Sequence, residues 1–361
     1  MIKVQKLSDR FLIENCEALS KKPFPTFIDS KTEISLRKLL GEFGPDDNIK
    51  ADSFDKYHFL WKDMLSDAIS FLKYNDRREF NNTNHVVREK DKIAFGVNEL
   101  YAYYKEYRDF EALLYGADEF YRDHIAHVFR VWFIGNWIIE KFDNSISWDY
   151  DKIVKDDTSL LISKDEIYAI WCIIALAHDL GYPLDKVNKI KHKINSMMAY
   201  FGGITYGLSD FQIPSHHHFI NDFILKFIAS KLVKIENGSG KIQYKTSVQS
   251  KYYLKFSKSF EKYNHGIITC ILLMKNLIYF LESDMDLERT FSETEDARQF
   301  YIRREILRAI AGHTSTDIYH LYPNAISFIL ILADELQVWE RPTFHEMKNE
   351  RQIFDICRWS R

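Results

Sequence analysis

The sequence predicts an all-α fold, mainly helical, with a small insertion that contains a β-hairpin. Apolar residues recur at helical spacing through most of the chain after residue 97, and several of these runs end at glycine or stop shortly before proline. The stretch Leu232 to Thr246 (LVKIENGSGKIQYKT) instead has two β-prone arms around an NGSG turn. Hydrophobic residues make up 46% of the 361 residues, which is enough for a sizeable core.

Three parts of the chain differ in pattern. Residues 1–97 form an irregular N-terminal region with some helix, the clearest of which is predicted over Phe54 to Tyr74. Residues 98–345 form the main helical domain, interrupted by an insertion at about 198–258, and residues 346–361 form a C-terminal tail. The N-terminal region has no chemical motif, so we expect it to serve as a cap or an oligomer contact.

Composition and charge exclude several classes of protein. The formal net charge is −3, so no overall basic field favours nucleic acid or an acidic membrane as a partner. The four cysteines are far apart, include no zinc-type pair and are typical of reduced thiols in a cytosolic protein. No segment reaches about eighteen uninterrupted apolar residues, and the N-terminus has no long apolar run. We therefore predict a cytoplasmic protein without a signal peptide or a membrane span.

Asp118 to Phe142 (DEFYRDHIAHVFRVWFIGNWIIEKF) is predicted to form one long helix with a wide apolar face. His127 lies beside that face, and His124 lies one turn earlier, where residues three apart are helix neighbours. A single histidine in such a place is more often a satisfied core or boundary imidazole than a ligand. Either histidine therefore becomes a candidate ligand only together with polar residues elsewhere in the chain.

The stretch Ile173 to Pro183 (IIALAHDLGYP) places an imidazole and a carboxylate, His178 and Asp179, at the end of a nearly continuous apolar helix. Gly181 is predicted to end this helix, and Pro183 to prevent its continuation. Such polar groups remain in an interior only when they are paired, hydrogen-bonded or bound to a metal. Adjacent residues project about 100° apart at a helix end, so both could reach one ion from neighbouring sides.

Three further polar residues occur at the ends or on the core faces of later helices. His265 opens the apolar run HGIITCILLMKNLIYFLE, and His313 follows Gly312, the predicted C-cap of a helix over Ala297 to Ala311. Asp334 shares the apolar face of AISFILILADELQVWE. An isolated buried carboxylate costs several kcal/mol, so Asp334 needs a cation or strong hydrogen-bond donors.

These histidines and acids form a candidate metal-binding set, which comprises His127, His178, Asp179, His265, His313 and Asp334. Imidazole with carboxylate suits Fe, Mn, Zn, Ni or Co better than Ca, with Mg as a further option. A set that mixes His and Asp without Cys is usually catalytic and leaves positions open for water.

The order H…HD…D in this chain resembles the signature of the HD-domain metal-dependent phosphohydrolase superfamily. The first His is His127 in HVFRV, the pair is His178–Asp179 in AHDLGYP, and the last Asp is Asp334 in ILADELQ. The local contexts agree as well as the order, and the resemblance covers roughly Tyr101 to Pro342. It covers neither the N-terminal region nor the insertion.

The resemblance implies an all-helical fold with one metal held by the first His, the His-Asp pair and the last Asp. Some branches hold two metals with extra histidines, and His265 and His313 occupy the corresponding interval. In dNTP triphosphohydrolases a His placed like His265 acts on the phosphate instead. That branch often has a second His where Tyr182 stands, and an Arg where His124 stands, so the substrate stays open. Oligomers are common in the superfamily, and a homo-oligomer is a further expectation.

The function that the resemblance implies is hydrolysis of a phosphoester or phosphoanhydride by a metal-activated water. The expected substrate is a nucleotide: a dNTP, a nucleoside monophosphate or a cyclic nucleotide. Asp179 would ligate the metal and orient the water, and His265 would be a second-metal ligand or a general acid. The cations Lys186, Arg130 and Arg308 are predicted to neutralise the remaining phosphate charge.

Two other functions are compatible with the same residues. An HD-type nuclease would need a basic, aromatic-lined groove for nucleic acid, which the net charge of −3 disfavours. A non-catalytic HD module that senses a nucleotide would be favoured by a degenerate set of ligands, whereas the set in this chain is complete.

Overall fold

A computed structural model of the protein describes residues 7–20, 24–74, 96–117, 121–142, 146, 160–201, 217–236, 238–281, 290–291, 294–318 and 322–343. The predicted C-terminal tail, residues 346–361, lies outside these described residues. The fold is mainly helical with one small antiparallel sheet, which confirms the predicted class.

The N-terminal region contains helices α1 (Asp9–Glu14), α2 (Glu17–Ser20), α3 (Ser30–Leu39), α4 (Ala51–Lys56) and α5 (Phe59–Tyr74). The single helix predicted over Phe54 to Tyr74 is wrong, because the chain turns at Tyr57 and splits it into α4 and α5. The two helices have different partners: Phe54 of α4 contacts the Phe129 ring, and Trp61 of α5 donates its indole N–H to the Leu176 carbonyl.

The next helices are α6 (Val97–Ala117), α7 (Ile125–Phe142), α8 (Lys164–Ala177) and α9 (Tyr182–Met198), the last followed by a 3₁₀ turn at Ala199–Phe201. The start predicted for α7 is wrong. The Asp123 carboxylate accepts hydrogen bonds from the backbone N–H groups of residues 125 to 127, so it caps the helix and excludes the preceding residues. His124 therefore precedes α7 instead of lying one turn earlier on it.

The predicted roles of Gly181 and Pro183 also change. Helix α8 already ends at Ala177, and α9 begins at Tyr182, so Pro183 lies in the first turn of a new helix. Proline is tolerated there because the first N–H groups of a helix have no intrahelical partner. A Cβ on Gly181 would lie 2.3 Å from the carbonyl oxygen of His265, so glycine is required for this close approach.

The second half of the chain contains α10 (His217–Ile228), β1 (Ser230–Glu236), β2 (Ile242–Val248), α11 (Ser250–Glu261), α12 (His265–Asn276), α13 (Ile278–Leu281), β3 (Thr290–Phe291), α14 (Thr294–His313) and α15 (Ile326–Leu336). The predicted hairpin is confirmed: β1 pairs antiparallel with β2, and Leu232 lies opposite Thr246. The two-residue strand β3 adds to β2 and was not predicted.

Three boundaries in this half differ from the prediction. Leu277 adopts an extended conformation and separates α12 from α13 within one predicted helix. Helix α14 continues through Gly312 to His313, so Gly312 is not its C-cap. Helix α15 ends at Leu336, four residues before the end of its predicted run.

Helix α8 lies at the centre of the core. Every residue from Glu166 to Ala177 is buried, and α8 packs against α5, α7 and α14. A capping box between Ser163 and Glu166 begins the helix. The segment Lys164–Val187 is apolar and long enough to cross a membrane, but 89% of its most apolar window is buried inside the fold. Its hydrophobicity is accounted for by this core position.

Candidate metal centre

The six predicted ligands meet where helix ends converge, and we call them the histidine cluster. They are His127 in the first turn of α7, His178 and Asp179 directly after α8, His265 at the start of α12, His313 at the end of α14, and Asp334 near the end of α15. Glycine permits the close packing here, since a Cβ on Gly266 would lie 2.4 Å from the carbonyl oxygen of Ile310.

Asp179 lies at the centre of the histidine cluster. Its Oδ2 atom is 3.3 Å from His178 Nε2 and 3.6 Å from His127 Nε2. Its Oδ1 atom is 3.2 Å from His265 Nε2 and 3.8 Å from His313 Nε2. The two carboxylate oxygens therefore divide the imidazoles into two pairs.

The same ring nitrogen, Nδ1, is engaged outside the cluster in all four histidines. The four partners are Gln337 Oε1 for His127 at 2.7 Å, Ala175 O for His178 at 2.9 Å, Asp185 Oδ2 for His265 at 3.3 Å and Ile310 O for His313 at 2.6 Å. These oxygens can only accept, so each Nδ1 carries the proton and donates it. Each Nε2 therefore faces Asp179, and a metal ion bound there would take the place of the Nε2 protons, which is the arrangement of metal-binding histidines.

Two contacts in the cluster mark places where a cation could bind. The buried His178 Nε2 makes no hydrogen bond within the described part of the chain, and its ion-pair contact is with Asp179 Oδ2 at 3.3 Å. His265 Nε2 lies 3.2 Å from His313 Nε2. A divalent ion would take the place of protons at these contacts and would satisfy the three nitrogens.

Two overlapping trios could hold an ion. The first consists of His127, His178 and Asp334, and the second of His178, Asp179 and His313, with the ligand atoms of each trio within 4.8 Å of one another. Asp334 Oδ1 is 3.0 Å from His127 Nε2. The donor set of imidazole nitrogen and carboxylate oxygen fits a divalent transition metal.

Burial and charge act against each other in this cluster. Burial lowers the pKa of His265, but hydrogen bonds to Asp179 and Asp185 outweigh it and raise that pKa to about 9. Burial lowers the pKa of His127, and the Arg341 guanidinium lowers it further. Burial alone would raise the pKa of Asp179, yet the surrounding imidazoles hold it well below its ordinary value. Asp179 is therefore an anion at neutral pH.

A group of packed rings borders the cluster. The Tyr182 ring centroid lies 3.9 Å from that of His124 and 5.2 Å from that of His265. His124 Nε2 is 4.0 Å from Asp179 Oδ2, and its Nδ1 makes no hydrogen bond among the described residues. Burial lowers the pKa of His124 well below its ordinary value, so this ring is neutral.

Of the three cations predicted to bind phosphate, Lys186 is at the border of the cluster. Its Nζ lies 4.6 Å from the centroid of the Tyr182 ring, and the side chain is half-buried. The phosphate-binding role of Lys186 stays a prediction.

The role predicted for Arg130 is corrected. Its guanidinium is buried, forms an ion pair with Asp9 at 3.1 Å and donates to the carbonyl oxygens of Ile49 and Glu340. Arg130 thus ties α1 to α7 and has a structural role.

The role predicted for Arg308 is corrected as well. Its guanidinium is buried and donates to the carbonyl oxygens of Ile228 and of Ser230, the first residue of strand β1. These bonds fix the insertion to α14 and leave Arg308 without a role in binding phosphate.

Several residues around the cluster were missed by the sequence analysis. Asp185 and Gln337 orient His265 and His127, and Arg341 lies beside the first turn of α7, where its Nε donates to the Asp123 carbonyl at 2.8 Å. Gln337 could have been suspected from the sequence, because it lies three residues after the predicted ligand Asp334. Arg341 gave no such indication, because it follows the predicted helix.

The chain was compared with protein families, curated proteins and solved structures. No family model, no curated protein and no solved structure matches it. Its chemistry has to be inferred from its own side chains.

Proposed function

We propose that the chain is a metal-dependent phosphohydrolase that cleaves a phosphoester or phosphoanhydride bond, with a nucleotide as the expected substrate. The observation that supports this most directly is the convergence of four imidazole Nε2 atoms on Asp179, each with its Nδ1 engaged elsewhere. The order of the ligands along the chain, which resembles that of the HD-domain superfamily, supports the same reaction.

Two ion positions follow from the two sides of Asp179. His127, His178 and Asp334 would hold the first ion together with Asp179 Oδ2. His313 and Asp179 Oδ1 would hold the second, with His265, whose Nε2 lies 3.2 Å from Asp179 Oδ1, as a further ligand. Imidazole and carboxylate donors without sulfur favour Mn, Fe, Co, Ni or Zn, whereas Mg prefers sites made of oxygen.

Bound divalent ions supply Lewis acidity, which lowers the pKa of an attacking water toward neutrality and polarises a phosphoryl oxygen. Asp179 is placed between the two histidine pairs and could accept a hydrogen bond from that water. Asp185 accepts from His265 Nδ1 and so orients its ring, and Lys186 would add positive charge at the border of the cluster. His265 is partly exposed, with 18% of its side chain accessible, so it faces the approach of substrate.

The test is elemental analysis of protein purified without a histidine tag from medium supplied with Mn or Fe. We expect about two equivalents of metal in the parent protein and about one in His265→Ala, because one of the two positions loses a ligand. His58→Ala, in a histidine of the α4–α5 turn, should keep the parent content. Hydrolysis of a nucleotide panel should stop when a chelator removes the metal.

Other outcomes change the proposal in defined ways. About one equivalent in both parent and His265→Ala would make His265 a proton donor or a phosphate contact instead of a ligand. Absence of metal even after Mn or Fe is supplied would contradict the proposal, and so would bound metal without turnover of any nucleotide.

A further inference from the structure

A short segment after α15 brings an arginine to the edge of the histidine cluster. Gln337 Oε1 accepts from His127, and the Gln337 amide donates to the carbonyl oxygen of Trp339 at 2.6 Å. The Trp339 indole donates in turn to Asp9 Oδ1 at 2.9 Å. This segment is therefore anchored at two points before it reaches Arg341.

The turn at Glu340 directs Arg341. Glu340 has a φ of +53°, a left-handed conformation that is uncommon outside glycine, and Arg130 donates to its carbonyl oxygen. Such backbone strain persists only where the surroundings over-determine it, and it concentrates at functional sites. The buried Arg130, which the sequence suggested as a phosphate ligand, thus supports the turn that presents a different arginine.

Most N–H donors of the Arg341 guanidinium are available to a ligand. Its Nε donates to the Asp123 carbonyl, which immediately precedes His124, and the side chain is half-buried. Within the described residues, the terminal nitrogens Nη1 and Nη2 have no acceptor. An arginine presents five N–H donors in a planar fork that matches a phosphate, so most of this fork is available.

Lys186 is a second cation at the border of the cluster. It lies over the Tyr182 ring, and that ring contacts both His124 and His265. Arg341 donates to the backbone carbonyl of Asp123, the residue before His124, so both cations are held next to residues of this ring pair or its immediate neighbour in the chain. Within the described residues, the Lys186 ammonium has no carboxylate partner.

The charge balance selects a class of phosphate. Two divalent ions would contribute about +4, and the carboxylates of Asp179, Asp334, Asp185 and Asp123 about −4, so Lys186 and Arg341 would leave an excess of about +2. A phosphomonoester group carries roughly −1.5 to −2 near pH 7, whereas a phosphodiester carries about −1. The doubly charged group offsets more of the excess and offers more oxygens to the two cations.

We infer that Arg341 and Lys186 bind the terminal phosphoryl group of the substrate, which is a phosphomonoester or a nucleoside di- or triphosphate rather than a phosphodiester. This inference rests on the proposed function, and it extends that function by a substrate class and by Arg341.

Hydrolysis of two matched substrates by the Mn-loaded full chain tests the class. We expect kcat/KM for p-nitrophenyl phosphate to exceed that for bis(p-nitrophenyl) phosphate, and Arg341→Met to lower the ratio of the two by roughly 10-fold or more. Arg341→Lys should recover part of the ratio, because it restores the charge without the fork. Lys241→Met, in the exposed hairpin turn, should keep the ratio of the parent. Faster turnover of the diester, or an unchanged ratio in Arg341→Met, would overturn the inference.

Calorimetric titration of inorganic phosphate into the Mn-loaded proteins separates this inference from the proposed function. We expect Arg341→Met to bind phosphate roughly 10- to 100-fold more weakly than the parent. If the parent hydrolyses neither substrate and no nucleotide of the panel, but Arg341→Met still binds phosphate more weakly, the proposed function fails and the anion site stands. Equal phosphate binding by parent and Arg341→Met overturns the inference, whether or not the parent is an enzyme.

Discussion

Two clusters of buried polar residues in this fold differ in what their hydrogen bonds leave unsatisfied. In the arginine cluster, formed by Arg304, Glu305 and Arg308, the guanidinium groups donate to the Glu305 carboxylate and to the carbonyl oxygens of Ile228 and Ser230. The histidine cluster instead engages every Nδ1 outside and leaves four Nε2 atoms facing Asp179.

The difference separates stability from function. A buried charge that is paired within the chain holds the fold together, and removing its partner is strongly destabilising. Imidazoles whose Nε2 atoms converge on a buried carboxylate could instead hold a cation. We therefore expect substitutions in the two clusters to have opposite consequences for metal content and for the free energy of unfolding.

The largest effect is expected for Asp179→Asn. This change keeps the shape of the side chain but removes the anion that both histidine pairs face, so metal content should fall and kcat should drop roughly 10³-fold or more. Metal analysis and turnover of the nucleotide panel measure it. The control is Asp109→Asn, in an exposed carboxylate paired with Arg108. Full metal content and activity in Asp179→Asn would remove Asp179 from the centre of the site.

Arg304→Met should destabilise the protein by about 3–5 kcal/mol without loss of metal, since it leaves the buried Glu305 carboxylate and Ser230 carbonyl without this donor. Urea unfolding and metal analysis at saturating Mn provide the two measurements. The control is Lys226→Met, which removes a surface ion pair with Asp222 and should cost less than about 1 kcal/mol. Loss of metal without loss of stability in Arg304→Met would contradict the structural role assigned to the arginine cluster.

Glu111 is a further buried acid in this fold. Among the described residues it is neither paired with an arginine, as Glu305 is, nor surrounded by imidazoles, as Asp179 is, and it takes up a proton instead. Burial and the nearby Asp123 raise its pKa to about 8, although hydrogen bonds from the His124 backbone N–H and the Tyr121 hydroxyl favour its anion. The folded-state pKa is above the unfolded one, so this contribution to stability is fully present below about pH 4.5 and is lost as the pH rises to about 8.

Glu111→Gln should therefore gain stability over the parent across that pH range, by on the order of 2–4 kcal/mol. The amide cannot ionise, and its oxygen can still accept both hydrogen bonds. Unfolding in urea at pH 5 and pH 8 measures the difference, with Glu106→Gln on the exposed side of the same helix as the control. Parallel pH profiles of parent and Glu111→Gln would show that Glu111 is ionised in the folded protein.

The helical class was predictable because apolar periodicity is a local property. The same pattern located the histidine cluster, since polar residues at the ends of apolar helices stand out from their surroundings. Local patterns failed at the boundaries. The Asp123 cap delays the start of α7, and Pro183 begins a helix where it was expected to stop one.

The cations were the weakest part of the prediction, for a physical reason. Arg130 is three residues after His127, yet its partner Asp9 lies 121 residues earlier in the chain. An arginine that is close in sequence to a predicted ligand can therefore be paired with an acid from a distant helix, and its position in the sequence does not show this. Arg341 was overlooked because its position depends on the turn at Glu340.

The sequence by itself determined the fold class and the kinds of donors, imidazole and carboxylate, that occur at helix ends. Only the tertiary structure decided which ring nitrogen faces Asp179, and which cations are bound within the fold and which still have donors available. The reason is that an imidazole or guanidinium is oriented by its hydrogen-bond acceptor. Those acceptors, such as Gln337 for His127, are often contributed by helices distant in the chain.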